Sequence, residues 1–158
     1  MDNPEERAMI KFKVNMKGLE QGKKLTKGAM KQVLKRSMLK MEEIAVLNAP
    51  FDKGILRGQI TLFPQILAER YVLYSKAPYS EDLEFGNRPH YAPIEPLIEW
   101  VQRKGIRSTE GGAIAFAKYV QDKIAKEGVN AQPFMRPALD EVQVVWLPQY
   151  KKEAFSMV

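Results

Sequence analysis

The spacing of apolar residues changes along the chain and divides it into helical and extended segments. Residues 9–15 alternate between apolar and polar positions, as a half-buried strand does. From about residue 25 to residue 47, apolar residues recur every three or four positions, which predicts a long helix with one buried face. We expect this helix to end at Ala49 and Pro50, because the residue before a proline is disfavoured in helical conformation.

The spacing changes to alternation after Pro50. Residues 56–63 and 69–76 are rich in β-branched and aromatic residues, which predicts two strands paired as a hairpin, with Pro64 in the turn. The change of period predicts an α+β fold, in which a long N-terminal helix and further helices pack on a small, mainly antiparallel sheet.

Further helices are predicted in the second half of the chain, where apolar residues return to a spacing of three and four. They cover residues 78–85, 93–104 and 113–127, and each is followed by a glycine, namely Gly86, Gly105 and Gly128. A last helix is expected to open at Arg136 and Pro137, and Pro148 should bend or end it. An extended tail is therefore expected from about residue 148.

Composition indicates an ordinary globular protein. The 158 residues are 45% hydrophobic and 28% charged, and we expect a single domain over residues 1–158. The chain has no cysteine, which excludes disulfides and thiolate chemistry. The longest stretch without a charged residue, residues 58–68, has 11 residues and is too short to cross a membrane as a helix. We therefore expect no membrane association.

Positive charge is concentrated near the start of the predicted long helix. Lysine and arginine number 25 against 19 acidic residues, which gives a net charge of +6. One arc of this helix, beside its apolar face, holds Lys24, Lys27, Lys31 and Lys35. Two interpretations stay open: a solvated helix face, or a stripe that contacts nucleic-acid phosphates or an acidic protein partner.

Candidate catalytic groups are sparse. The single histidine, His90, lies in a predicted loop beside Tyr91, where a lone histidine is more often structural or solvated than catalytic. Neighbouring acids such as Glu42 and Glu43 point to different sides of a helix and form no two-carboxylate site. One histidine without cysteines makes a zinc site unexpected. We predict no catalytic, cofactor or metal site, and no enzymatic activity.

The segment NAPFDKGILRGQI, residues 48–60, connects the long helix to the first hairpin strand. It lacks the GxxxxGK[ST] spacing of a phosphate-binding loop. Asp52 is expected to accept hydrogen bonds from nearby backbone N–H groups, Gly54 to permit a turn, and Leu56 to begin the apolar face of the strand. We interpret the segment as a structural joint.

Three short segments, NAPFDKGILRGQI, YSEDLEFG and QPFMRPAL, occur in that order along the chain. Together they resemble the phage neck and tail-completion family, the head-to-tail joining proteins that include HK-type neck proteins and relatives of minor tail protein Z. The family has Ala-Pro-x-Asp-Thr-Gly-x-Leu-Arg-x-Ser-Ile after a long helix, Tyr-Ala-x-x-Val-Glu-Phe-Gly-Thr after a strand, and Pro-Phe-x-x-Pro-Ala at the last helix. The matching residues are Ala49, Pro50, Asp52, Gly54, Leu56, Arg57 and Ile60, then Tyr79, Glu84, Phe85 and Gly86, then Pro133, Phe134, Pro137 and Ala138.

The resemblance implies a ring subunit and not a catalyst. Such a subunit would be a virion protein, assembled in the host cytoplasm, that joins head-completion or connector proteins to tail-terminator or tail-tube proteins. The resemblance also implies a ring of six copies. A channel around DNA needs a head-to-tail contact whose rotation closes. The candidate contact segments are YSEDLEFG, residues 103–112 and VVWLPQY.

Arg57 and Glu84 are predicted to be partners, since each lies in a matched segment and a glutamate in a mostly apolar turn is unfavourable to bury alone. We expect the pair within one chain or across a subunit boundary, in a structural or interfacial role. The chain departs from the family pattern at Lys53, Gln59, Ser80 and Asn87.

A second interpretation is a small basic nucleic-acid-binding protein or an RNA-cleaving toxin. The net positive charge and the lysine stripe favour it. A toxin would also need a cluster of arginine, histidine, tyrosine or glutamate to position and cleave RNA, and the sequence pattern indicates none. Portal and tail genes beside the coding sequence would favour the first interpretation, and an antitoxin gene the second.

Overall fold

A computed structural model describes residues 11–14, 27–65, 70–107 and 109–156. The strands are β1 (Lys11–Val14), β2 (Ile60–Gln65) and β3 (Arg70–Ser75). The helices are α1 (Lys27–Asn48), α2 (Ile55–Gln59), α3 (Ser80–Phe85), α4 (Ile94–Arg103), α5 (Glu110–Glu127), α6 (Met135–Glu141) and α7 (Leu147–Ser156), with a π-helical segment at Val142–Trp146.

Helix α1 buries the apolar face that the sequence predicts. Met38 and Met41 are completely buried, and Leu34 is 1% exposed. The helix ends before Pro50, as expected. Its buried face forms one core with side chains from the sheet and from α6, such as Leu73 and Phe134.

The sheet is antiparallel, with strand order β1-β3-β2. Leu73 of the central strand lies opposite Phe12 on one side and Leu62 on the other. The predicted hairpin of β2 and β3 is therefore confirmed, and so is the α+β class. The predicted strand at residues 9–15 corresponds to β1 within its described part, Lys11–Val14.

The start of the first hairpin strand was predicted too early. Residues 55–59 form the short helix α2, and β2 begins only at Ile60. Leu56 is 3% exposed and packs into the core from this helical turn instead of from a strand. Pro64 lies inside β2 opposite Tyr71, not in the turn. A proline is tolerated there because β2 is an edge strand.

The chain forms two compact units. The described residues up to Glu84, together with those from Gln132 onward, form the first unit, which holds α1 and the sheet. Phe85–Ala131 form the second unit, in which α4 and α5 pack around Val101 and two alanines of α5. The predicted helices α4 and α5 are confirmed, while a single domain over residues 1–158 stays a prediction. Helix α5 begins earlier than predicted because Thr109 caps it, accepting a hydrogen bond from the Gly112 N–H at 3.2 Å.

The C-terminal segment is helical, so the predicted extended tail from about residue 148 is wrong. The last helical stretch opens at Met135 and stays helical to Ser156. Pro148 occupies the first turn of α7, where its missing N–H removes no hydrogen bond inside that helix. The π-helical segment precedes it, and the Leu147 N–H reaches back to the Val142 carbonyl.

Candidate functional site

The first matched segment closes the C-terminal end of α1. The Arg57 Nε donates a hydrogen bond to the Ala49 carbonyl at 3.0 Å, and its Nη2 donates to the Leu47 carbonyl at 3.3 Å. The last carbonyls of a helix have no partner inside the helix and carry partial negative charge, which suits a guanidinium. The Arg57 guanidinium also lies 5.2 Å from the centre of the Phe51 ring. Arg57 is thus a C-terminal cap of α1.

The backbone turns at Gly54, which has a φ of 77° in the left-handed region. This conformation is strained for most residues with a side chain, so glycine is the natural choice. The turn lets α2 start immediately and places Leu56 in the core. Pro50 is half-buried and Asp52 is exposed; a role for Asp52 as an acceptor of backbone N–H groups stays a prediction.

The second and third matched segments meet at Glu84. Its side chain is buried, and its Oε2 accepts hydrogen bonds from the backbone N–H groups of Phe134 at 2.8 Å and Met135 at 2.9 Å. Its Oε1 accepts a third from the Arg136 N–H at 2.7 Å. These N–H groups lie at the start of α6, where a helix has donors without internal partners. A carboxylate bound by several N–H groups is well stabilised without a cation.

The predicted pairing of Arg57 with Glu84 is therefore wrong within the chain. Arg57 binds carbonyl groups at the end of α1, whereas Glu84 binds N–H groups at the start of α6. Pairing across a subunit boundary stays a prediction, although both Glu84 oxygens already accept hydrogen bonds inside the first unit. The sequence carried a usable signal: Pro137 in the first turn of the last helix marks free N–H groups that a carboxylate can bind.

Gly86 of the second segment lies close to the backbone at Val129, which belongs to the same unit. Its φ is 75°, and a Cβ atom there would lie 2.8 Å from the Val129 carbonyl oxygen. Next to it, Asn87 and Val129 exchange two backbone hydrogen bonds of 2.9 Å. Glycine is required here both for the backbone angle and for the space.

The remaining matched residues divide between core and surface. Phe134 is completely buried, Pro137 is half-buried, and Pro133 is exposed. Tyr79 and Phe85 are exposed large apolar side chains of the α3 region, which was predicted as a contact segment.

A second group of exposed apolar residues lies at the corner between α1 and α2. Leu47 is 65% exposed, Phe51 62% and Ile55 48%. Arg57 contacts two members of this group, since it binds the Leu47 carbonyl and its guanidinium lies 5.2 Å from the centre of the Phe51 ring. We call Leu47, Phe51 and Ile55 the corner patch. The sequence carries no signal for this patch, because Phe51 and Ile55 lie in the segment interpreted as a structural joint and Leu47 lies at the end of the periodic pattern of α1.

The lysine stripe is only partly described. Lys27, Lys31 and Lys35 are exposed on α1, and Lys24 lies outside the described residues. Whether the stripe meets a polyanion, an acidic partner or only solvent stays a prediction.

Chemistry at the other polar candidates is limited. His90 is exposed, and its Nδ1 lies 2.9 Å from the Arg88 carbonyl oxygen. Within the described ranges, no group of three or more histidine or acidic residues is arranged to hold a metal ion. The same part of the chain contains no helix that is both long and apolar enough to span a membrane.

Comparison with protein-family models, with curated proteins and with solved structures finds no match to this chain.

Proposed function

We propose that this protein is a structural ring subunit at the neck of a tailed bacteriophage or prophage, joining the head connector to the tail. The strongest support for this proposal is the structural role of the charged residues in the matched segments. Arg57 caps the end of α1, and Glu84 accepts hydrogen bonds at the start of α6. Both charged groups therefore stabilise the ends of helices. Residues used in this way support a structural protein.

The corner patch supports a protein that works in contact with others. Leu47, Phe51 and Ile55 are each about half exposed or more. Contiguous apolar groups on a soluble protein mark interaction sites more often than isolated ones do. In the proposed ring this patch, with Tyr79 and the α3 region, lies at contacts between neighbouring copies or with the adjoining rings.

The proposed ring has six copies and encloses a channel through which DNA passes. Closure needs a heterologous contact, because a two-fold contact uses the same patch on both subunits and stops at a dimer. The proposed neighbours are head-completion or connector proteins on one side and tail-terminator or tail-tube proteins on the other.

Deleting the gene from its phage tests the proposal. The expected result is filled heads and separate tails that do not join, with joining restored by the parent gene. Complementation with a Leu47→Ser, Phe51→Ser variant is expected to fail although the protein folds. A Tyr91→Ser variant, at a residue that is 75% exposed and lies outside the candidate contact segments, should restore joining. Normal joined particles in the deletion strain would contradict the proposal.

A further inference from the structure

The second unit carries an open cleft beside the start of α5. Its volume is about 630 Å³, within the range of about 300–1,000 Å³ that is usual for ligand sites. The residues that line it all belong to the second unit; they are Arg107, Thr109, Gly112, Ala115, Phe116 and Tyr119. One lining residue is basic and none is acidic, so the cleft favours an anionic ligand.

Two aromatic rings form one side of the cleft. The ring centres of Phe116 and Tyr119 lie 6.0 Å apart, and the ring planes are inclined by 37°. The two residues are three positions apart on α5 and therefore lie on the same side of the helix. Phe116 packs against the small core around Val101, whereas Tyr119 is 61% exposed. Packing thus fixes one ring, and the Tyr119 ring stays accessible to a planar ligand.

Polar groups lie beside the rings at the start of α5. The Arg107 guanidinium lies 5.7 Å from the centre of the Phe116 ring. A Cβ added at Gly112 would lie 2.8 Å from the Thr109 Oγ1 and 3.4 Å from the Arg107 Cβ, so both side chains lie beside Gly112. A guanidinium can contact a ring and donate hydrogen bonds to a phosphate at the same time, because its five N–H groups lie in its plane.

A base stacked on an aromatic ring and a phosphate held by a basic side chain are the two contacts by which proteins bind single-stranded nucleic acid. An acidic peptide could pair with Arg107 but offers no planar group for the Tyr119 ring. In a duplex the base faces are covered by their neighbours, so an exposed ring in an open cleft suits a single strand.

We propose that this cleft binds single-stranded nucleic acid, with a base stacked on Tyr119 and the adjoining phosphate bound by Arg107. The proposal goes beyond the neck function and does not rest on it. It is tested on the purified protein without phage particles, so that its failure is distinct from a failure of the neck function.

Substitution of exposed tyrosines tests the base contact. Fluorescence anisotropy with a labelled single strand of about 12 nucleotides measures the Kd. We expect Tyr119→Ala to raise the Kd at least about fivefold, the lower end of the contribution of one stacked base. Tyr119→Phe keeps the ring and should bind like the parent. Tyr91→Ala, at a residue that is 75% exposed in the same unit but outside the cleft, should also bind like the parent.

The salt dependence of binding tests the phosphate contact. Arg107→Ala should reduce the log-log salt slope by about 0.7, the value for one phosphate of a single strand. Arg88→Ala removes the same charge from an exposed arginine of the same unit outside the cleft, and it should leave the slope unchanged. A duplex of the same sequence should bind Tyr119→Ala and the parent equally, because its base faces are stacked.

Three results would overturn the proposal. The first is a parent protein that does not bind the single strand. The second is an equal Kd for Tyr119→Ala and Tyr91→Ala, which would exclude stacking on Tyr119. The third is an equal salt slope for Arg107→Ala and Arg88→Ala, which would exclude a phosphate at Arg107.

Discussion

At the scale of single residues, two charged side chains of the matched segments bind backbone groups at helix ends. Arg57 donates to carbonyls at the end of α1, and the Glu84 carboxylate accepts from N–H groups at the start of α6. Each charge therefore meets the partial charge of opposite sign that a helix end presents. This use of charge explains why neither group needs a side-chain partner.

Replacing Glu84 tests the strongest of these contacts. We expect Glu84→Ala to lower the free energy of unfolding by about 2–4 kcal/mol, because buried N–H groups lose a charged acceptor. Glu84→Gln keeps one acceptor oxygen and should be affected less. The exposed Glu81→Ala on the same helix should stay within about 0.5 kcal/mol of the parent. Urea unfolding measures all three, and a parental midpoint for Glu84→Ala would contradict the geometry described here.

Gly86 and Gly58 offer a matched pair of glycine substitutions. Gly86→Ala places a methyl group against the Val129 carbonyl at a left-handed backbone angle, so we expect it to destabilise the second unit. Gly58 lies inside α2 with no atom within 4 Å of an added Cβ. Gly58→Ala should therefore be neutral or stabilise by up to about 1 kcal/mol, because alanine favours helix. Thermal unfolding of the two variants checks the contrast, and equal midpoints would contradict it.

At the scale of elements, the periodic spacing of apolar residues predicted α1 and the hairpin. The local effects of Gly54 and Pro148 on the backbone were misjudged. The start of β2 was misplaced because a leucine at position 56 fits a strand as well as a helical turn. The left-handed backbone of Gly54 allows the helical turn α2 to start at the next residue. Pro148 failed as a stop signal because it falls in the first turn of α7, a position that depends on the π-helical segment before it. The Glu84 contact was missed because it joins residues about fifty positions apart.

The ion pair between α1 and α7, in which the Arg36 Nη1 lies 2.8 Å from the Glu153 Oε2, is expected to weaken in acid. Hydrogen bonds from Gln149 and Arg36 hold the pKa of Glu153 below its ordinary value of 4.5. A carboxylate whose pKa is lowered by folding stabilises the folded state above its unfolded pKa, and this contribution is lost as the pH falls through the lowered pKa. We therefore expect α7 docking to be intact at neutral pH and to weaken below pH 4.5.

Trp146 fluorescence in a Trp100→Phe background reports this change, since Trp146 directly precedes α7 and its ring centre lies 4.6 Å from the Lys40 Nζ of α1. A red shift is expected as the pH falls below 4.5. Glu153→Gln, which cannot lose a charge, should flatten that part of the titration. A titration identical to the parent would exclude Glu153 as the group responsible.

At the scale of the whole molecule, charge and exposed apolar surface set the proposed contacts. The net charge of +6 includes the exposed Lys27, Lys31 and Lys35 on one helix. In the proposed ring these lysines face the DNA in the channel or an acidic neighbouring ring.

Reversing Lys27, Lys31 and Lys35 to glutamate measures that contact. If they bind DNA, each phosphate contact removed should reduce the log-log salt slope of binding by about 0.9. A triple reversal of Lys118, Lys123 and Lys126 on α5 is the matched control for a simple change of net charge. Unchanged DNA binding and unchanged particle assembly in the α1 variant would leave the stripe as a solvated face.

Imaging of assembled particles tests the central proposal most directly. With the protein carrying a visible tag, single-particle images should place it between the head connector and the tail tube, as a closed ring with six-fold symmetry. A purified monomer does not contradict this, because the interface must exceed the entropy lost on association, and in the proposed assembly the neighbouring rings add further contacts. Particles that lack the protein at the neck and tail top, or that carry it there as isolated copies without rotational symmetry, would contradict the account.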